Sequence, residues 1–155
     1  MPSKPETRLQ ELHITLPPVP KPMAKYKTAV LAGNMLYVSG HGPLKPDGKL
    51  IQGRVGADMT LEQGKDAARA VGLAILSTVR NTLGTLDKVK RLVKTLGMVN
   101  CTADFKEQPA VINGFSDLMA DIFGEDAGVG ARSAVGMVSL PSNIPVEVEC
   151  IFEVG

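Results

Sequence analysis

Between Thr60 and Gly84 apolar residues recur near helical spacing, at Leu61, Ala67, Ala68, Val71, Ile75, Val79 and Leu83, and no other stretch constrains the fold as tightly. A stripe of that length has to lie on a core. The ends are written as well: Thr60 with Gln63 makes a capping-box pattern, and Gly84 is a stop. A second helix is predicted from about Glu107 to Phe123, with Val111, Ile112, Phe115, Leu118, Met119 and Ile122 on one side and Gly124 as its stop.

Around these helices the chain is β-prone. Tyr26 to Leu31 and Met35 to Ser39 flank Ala32-Gly33-Asn34, which suits a hairpin turn. Pro43, Pro46, Asp47-Gly48 and Gly53 punctuate a loop with a brief edge strand at Lys49 to Ile51. Val89 to Thr102 reads as a buried strand, and Ser133 to Ser139 and Val146 to Val154 as two more, joined across Leu140-Pro141-Ser142-Asn143. The order ββ(β)αβαββ is that of an α+β domain. Two helices cover only one face of such a sheet, so the other, lined by Val and Met, needs a partner. Self-association is expected, with clefts at subunit boundaries where a site can be shared.

Ahead of the sheet, Ser3 and Glu6 form a second capping-box pattern, and Leu9 and Leu12 suit one short amphipathic helix. The four prolines of Leu16-Pro17-Pro18-Val19-Pro20-Lys21-Pro22 exclude helix and central strand, leaving an extended arm. The expected organisation is a helix and proline-rich arm over 1–25 and one domain over 26–155.

Composition narrows the function. At 155 residues the chain suits one core, and 44% hydrophobic against 21% charged residues is a globular balance. The 17 Lys+Arg nearly cancel 16 Asp+Glu, there is no Trp and aromatics are 4%, which argues against a nucleic-acid partner. Cys101 and Cys150 are far apart in apolar stretches and read as reduced core thiols. No basic leader with a following apolar segment opens the chain and no apolar run approaches membrane-spanning length, so a soluble, cytoplasmic protein with no membrane partner is expected.

The strongest chemical signal is Gly130-Ala131-Arg132-Ser133-Ala134-Val135-Gly136, a lone arginine among small residues where a turn becomes a strand. Its planar fork can hold a carboxylate, with backbone N–H groups of Ser133 and Ala134 beside it. The competing reading is a structural salt bridge to Glu147 or Glu149 on a neighbouring strand. Those two glutamates share one side of their strand, one as solvent-facing charge and the other as a general acid/base, and spacing does not choose between them. Tyr26 suits either a cleft or an amphipathic rim, and Asn113 either a local network or a site. His41, beside Gly40, is a candidate pocket residue. His13 and His41 lack ligand-spaced companions, so no metal is expected. Neither a nucleotide-binding glycine loop nor a nucleophile elbow is present.

Tyr26-Lys27-Thr28-Ala29-Val30 with Ala32-Gly33-Asn34 and Tyr37-Val38-Ser39-Gly40, then Ala131-Arg132-Ser133-Ala134-Val135 and Leu140-Pro141 before Val146-Glu147-Val148-Glu149, resemble the Rid family (reactive intermediate deaminases, also called YjgF or L-PSP endoribonuclease-like proteins), collinearly over about residues 24 to 154. The resemblance implies a chorismate-mutase-like α+β fold, a homotrimer, and inter-subunit clefts that hydrolyse enamine/imine products of amino-acid metabolism to 2-keto acids and ammonia, without a cofactor. By motif position Arg132 matches the arginine that holds the substrate carboxylate, Glu147 the glutamate near the reactive carbon and Tyr26 the tyrosine at the pocket mouth. Asn113 matches a helix asparagine, and Ser39, Gly40 and the Ala134 backbone match pocket-lining positions.

This sequence departs from the family pattern in its longer N-terminal segment, in His41 where Gln is common, in extra residues around Lys106 to Pro109, and in Val129-Gly130 where an aromatic-Pro pair is common. These lie around the expected cleft and bear on the substrate more than on the fold. A non-catalytic trimer that binds small carboxylates or keto acids as a sensor would use the same arginine. An endoribonuclease is disfavoured by the near-neutral charge and scarce aromatics. A chorismate mutase would want several cationic groups around the cleft.

Overall fold

The computed structural model describes residues 3–155. Residues 1 and 2 of the expected N-terminal segment lie outside the described residues. In chain order the elements are α1 (Pro5–Glu11), β1 (Ala29–Ala32), β2 (Met35–His41), α2 (Leu61–Leu83), β3 (Val89–Asn100), α3 (Gln108–Ala127), β4 (Ala131–Met137) and β5 (Val146–Val154). They make the expected α+β fold, with one five-stranded mixed sheet in the order β1-β2-β5-β3-β4. Only β3 and β4, joined through α3, run parallel.

The Thr60 capping box forms as read, with the Gln63 amide donating to Thr60 Oγ1 at 3.2 Å and the Thr60 amide to Gln63 Oε1 at 2.9 Å. Gly84 closes α2 in the left-handed region at φ 86°. Gly124, at φ 89°, breaks α3 as expected, but the chain resumes one more helical turn to Ala127.

The Ser3 box does not form. Lys4 occupies the N-cap position, Pro5 has no amide to offer, and Ser3 Oγ donates instead to Glu11 at 2.8 Å. Glu6 turns away to Arg80, which donates to both of its oxygens at 3.1 and 2.7 Å, and it accepts the Leu86 amide at 2.9 Å. A two-pronged charge-assisted pair outweighs a neutral cap. Beyond α1 the proline segment runs extended along α2, where Ser77 Oγ donates to the Pro17 carbonyl at 2.9 Å.

Two strand expectations are corrected. The first strand begins at Ala29 rather than Tyr26, and Lys49 to Ile51 contributes only the isolated bridge between Leu44 and Leu50. Pro43 and Pro46 remove the donors a longer ladder there would need.

Strand alternation decides what each face holds. On β5, Val146, Val148, Cys150, Phe152 and Val154 are buried beneath α2 and α3, each large apolar side chain contributing about 1.5–3 kcal/mol of burial. Glu147, Glu149, Ile151 and Glu153 point to the open face. Part of that face is covered by the chain's own loops, because Met98 packs with Leu140, Ile144, Leu50 and Leu96 in a second small cluster. The rest carries exposed apolar residues, among them Val30, Tyr37, Val135 and Met137. Cys101 and Cys150 are free and buried, and burial pushes the Cys150 thiol up. Among the described residues no helix is long and apolar enough to cross a membrane.

Candidate functional site

Arg132 lies on β4, an edge strand, in register with Thr95 of β3, which is in register with Cys150 of β5. Paired residues share a face, so Arg132 points to the helix side, as the buried Thr95 and Cys150 do. There α3 meets it. Arg132 Nη1 donates to Asn113 Oδ1 at 2.9 Å and to Ser116 Oγ at 3.1 Å, and Nη2 points to the Pro109 carbonyl at 3.5 Å. Asn113 and Ser116 are three apart on α3 and so present to the same side.

The expected salt bridge from Arg132 to Glu147 or Glu149 is not made. β3 separates β4 from β5, so the strand carrying the glutamates is not its neighbour. No carboxylate stands within 4.0 Å of Arg132 among the described residues. Among the described residues its Nε makes no hydrogen bond, and Nε with Nη2 forms the edge of a guanidinium that can hold two carboxylate oxygens. A cleft of about 140 Å³ opens beside it, lined by Leu92, Thr95, Ser116 and the Gly128–Gly130 turn. Ala134, two residues on, is half-buried on the same side of the edge strand.

Glu147 occupies the opposite face. It is in register with Met98, which pairs with Val135 across β3. Its side chain is half-buried, whereas Glu149 is exposed. Burial first, and then the Glu149 charge, hold the Glu147 carboxyl above the usual carboxylate range. The carboxylate lies against Gly40, where any Cβ would collide with it. Gly40 and Ser39 form an irregularity in β2 between Val38 and His41. Ser39 Oγ donates to the Lys27 carbonyl at 2.6 Å and its amide to the Thr28 carbonyl at 2.9 Å.

Tyr26 precedes β1 and is 44% exposed, and its hydroxyl accepts a long 3.4 Å contact from the Met23 amide. His41 does not line a pocket. It is 5% exposed and turned toward α2, with Nδ1 2.6 Å from the Ser39 carbonyl and Nε2 2.8 Å from Thr78 Oγ1, because the backbone irregularity returns it to the helix side. Ser116 escaped the sequence reading. Its signal was the three-residue offset from Asn113, which means nothing until α3 is known to face Arg132.

The structure therefore brings Arg132, Asn113 and Ser116 together on one side of the sheet, and Ser39, Gly40 and Glu147 on the other. Among the described residues no group of three or more His, Cys, Asp or Glu side chains is placed to hold a metal ion.

Comparison with known proteins agrees with this architecture. The family described as "YjgF/chorismate_mutase-like, putative endoribonuclease" matches over residues 6–153. The chain belongs to this family, known also by the names RutC and Rid. It is 43% identical over 145 residues to the Trypanosoma cruzi protein named TCP17, covering 94% of this chain and 91% of that one. A solved structure of a protein of unknown function from Agrobacterium tumefaciens is 42% identical, with a TM-score of 0.89 over 97% of this chain and 92% of its own. A Dermatophagoides farinae protein named 2-iminobutanoate/2-iminopropanoate deaminase is 28% identical over 141 residues, 89% of this chain and 92% of that one. The family thus includes a protein that bears the name of an imine deaminase.

Proposed function

We propose that this protein hydrolyses small 2-imino acids and their enamine tautomers to 2-keto acids and ammonia, in clefts between the subunits of a homotrimer. The observation that carries the reading is the Arg132 fork, held in place by Asn113 and Ser116 and without a carboxylate of its own among the described residues. A cation fixed by neutral partners beside a small cleft is suited to one organic carboxylate.

The reaction needs little more. An imine carbon is already electrophilic, and protonation of its nitrogen makes it more so. Water adds to that carbon and gives up a proton, that proton is returned to the amino nitrogen of the carbinolamine, and as the C–N bond breaks the hydroxyl proton is lost and ammonia leaves with the carbonyl formed. One group that accepts and returns a proton, plus positioning, suffices. Glu147, with its carboxyl above the usual range, fits that role, and Tyr26 and Ser39 fit the mouth and wall of the cleft.

Alternation supports assembly. Arg132 and Glu147 face opposite sides of one sheet, so one copy cannot aim both at the same substrate. The exposed Tyr37, Val30 and Val135 face supports association with further copies, a second copy's Glu147 brought to the β4 edge would complete the site of this Arg132, and the number three is the one the family resemblance implies.

The test is to generate 2-aminoacrylate and longer imines in place with an amino-acid dehydratase or oxidase, and to follow semicarbazone trapping. Wild type is expected to suppress trapping, and Arg132→Ala to lose roughly 10- to 100-fold in kcat/KM, the worth of a charge-assisted contact. Suppression by neither protein across several imines, with keto-acid binding retained, would move the non-catalytic carboxylate binder ahead. Sedimentation equilibrium returning a monomer would overturn the shared cleft.

A further inference from the structure

We infer that His41 is a positioning residue: held by Thr78, it ties down the Ser39 carbonyl and so fixes the Ser39–Gly40 irregularity on which the Glu147 carboxylate rests. The inference builds on the proposed role of Glu147.

Between its two pairings with β5, β2 takes three steps from Val38 to His41 while β5 takes two, from Cys150 to Val148. Val38 and His41 both end up buried under the helices, so the surplus is carried by Ser39 and Gly40. Glu147, next to Val148, lies over that surplus and fills the space that a Cβ at position 40 would occupy. Where the backbone goes at Ser39–Gly40, the carboxylate goes too.

Three contacts hold Ser39. Its amide and hydroxyl engage the Thr28 and Lys27 carbonyls on the β1 side, and its own carbonyl meets His41 Nδ1 at 2.6 Å on the α2 side. A carbonyl only accepts, so Nδ1 carries a proton. Burial disfavours the charged imidazole, and in the neutral ring with its proton on Nδ1, Nε2 accepts the Thr78 hydroxyl at 2.8 Å. Thr78 is 1% exposed, in the last third of α2. The ring is therefore a strut between the buried face of α2 and the irregular point of β2. An apolar side chain could fill the same volume, but it would leave the Ser39 carbonyl and the Thr78 hydroxyl short of partners.

The experiment compares His41→Leu, His41→Asn and Thr78→Val with wild type as whole proteins. Two readouts are taken on each: steady-state imine hydrolysis, and the titration of Glu147 by NMR on protein carrying 13C-labelled glutamate, assigned with Glu147→Gln. Asparagine can still donate to the Ser39 carbonyl and leucine cannot. His41→Leu is expected to lower kcat roughly 10- to 100-fold with KM nearly unchanged, the cost of a misplaced group. In it the Glu147 titration should fall toward the ordinary carboxylate range, while His41→Asn recovers most of both. Thr78→Val should fall between. A merely structural His41 would lower the melting temperature and leave both readouts at wild-type values, which overturns the inference. If wild type hydrolyses no imine, the deaminase reading fails, and the NMR titration by itself still decides whether His41 places the carboxylate.

Discussion

Arg132 and Glu147 share a sheet but not a state of completion. The arginine is finished by its own chain, because α3 supplies Asn113 and Ser116 to fix its plane and leaves one edge free. The glutamate is half-buried on the face no helix covers, in contact with Gly40 and beside another negative charge. The helix-covered side is closed by the chain's own contacts, whereas the open side leaves charge and apolar surface exposed. Under the proposed function, such a site would be preorganised on one half and completed by association.

That contrast can be broken most forcefully on the covered side. Phe152, fully buried and packed against Phe123, is expected to cost about 3–5 kcal/mol when changed to Ala, measured by urea unfolding of the purified protein. A loss under about 1 kcal/mol would mean that the covered face is not the core. The N-terminal clamp should come next. Hydrogen bonds from Arg80 hold the Glu6 carboxyl below its ordinary range, so the clamp contributes above the unfolded value and is lost as pH falls through the folded one. Glu6→Gln is expected to cost about 1 kcal/mol at neutral pH after allowance for solvent screening, and that gap to wild type should close in acid.

The smallest stability effects belong to the open side. Tyr37→Ser should change the stability of the isolated subunit by about 0.5 kcal/mol or less, yet weaken association, read by sedimentation at several protein concentrations. Gly40→Ala meets only the flexible end of Glu147, so it should fold with little loss while displacing that carboxylate. Imine hydrolysis falling with the melting temperature unchanged would sharpen the division between the two faces. Unchanged hydrolysis would erase it.

Legibility followed range. The bounds of α2 were readable because Thr60, Gln63 and Gly84 act within one turn of themselves. The covered side of β5 was readable because alternation is local. Glu6 was misassigned to a cap because its partner, Arg80, lies 74 residues away. The Arg132 salt bridge was wrongly allowed for the same kind of reason: β4 and β5 are consecutive in the chain, and β3, placed between them, comes from before α3. Sequence adjacency to Gly40 makes His41 a candidate pocket residue, and the one-residue surplus in β2 turns it inward instead.

The amino-acid sequence by itself determined the α+β class, the helix limits, the extended arm and the residues able to carry chemistry, since propensity, capping and periodicity are properties of neighbours in the chain. Only the tertiary structure decided strand order, the face each site residue takes, the partners of Arg132 and Glu6, and the burial that distinguishes Glu147 from Glu149. Those depend on which distant segments exclude water from one another, and no local pattern specifies that.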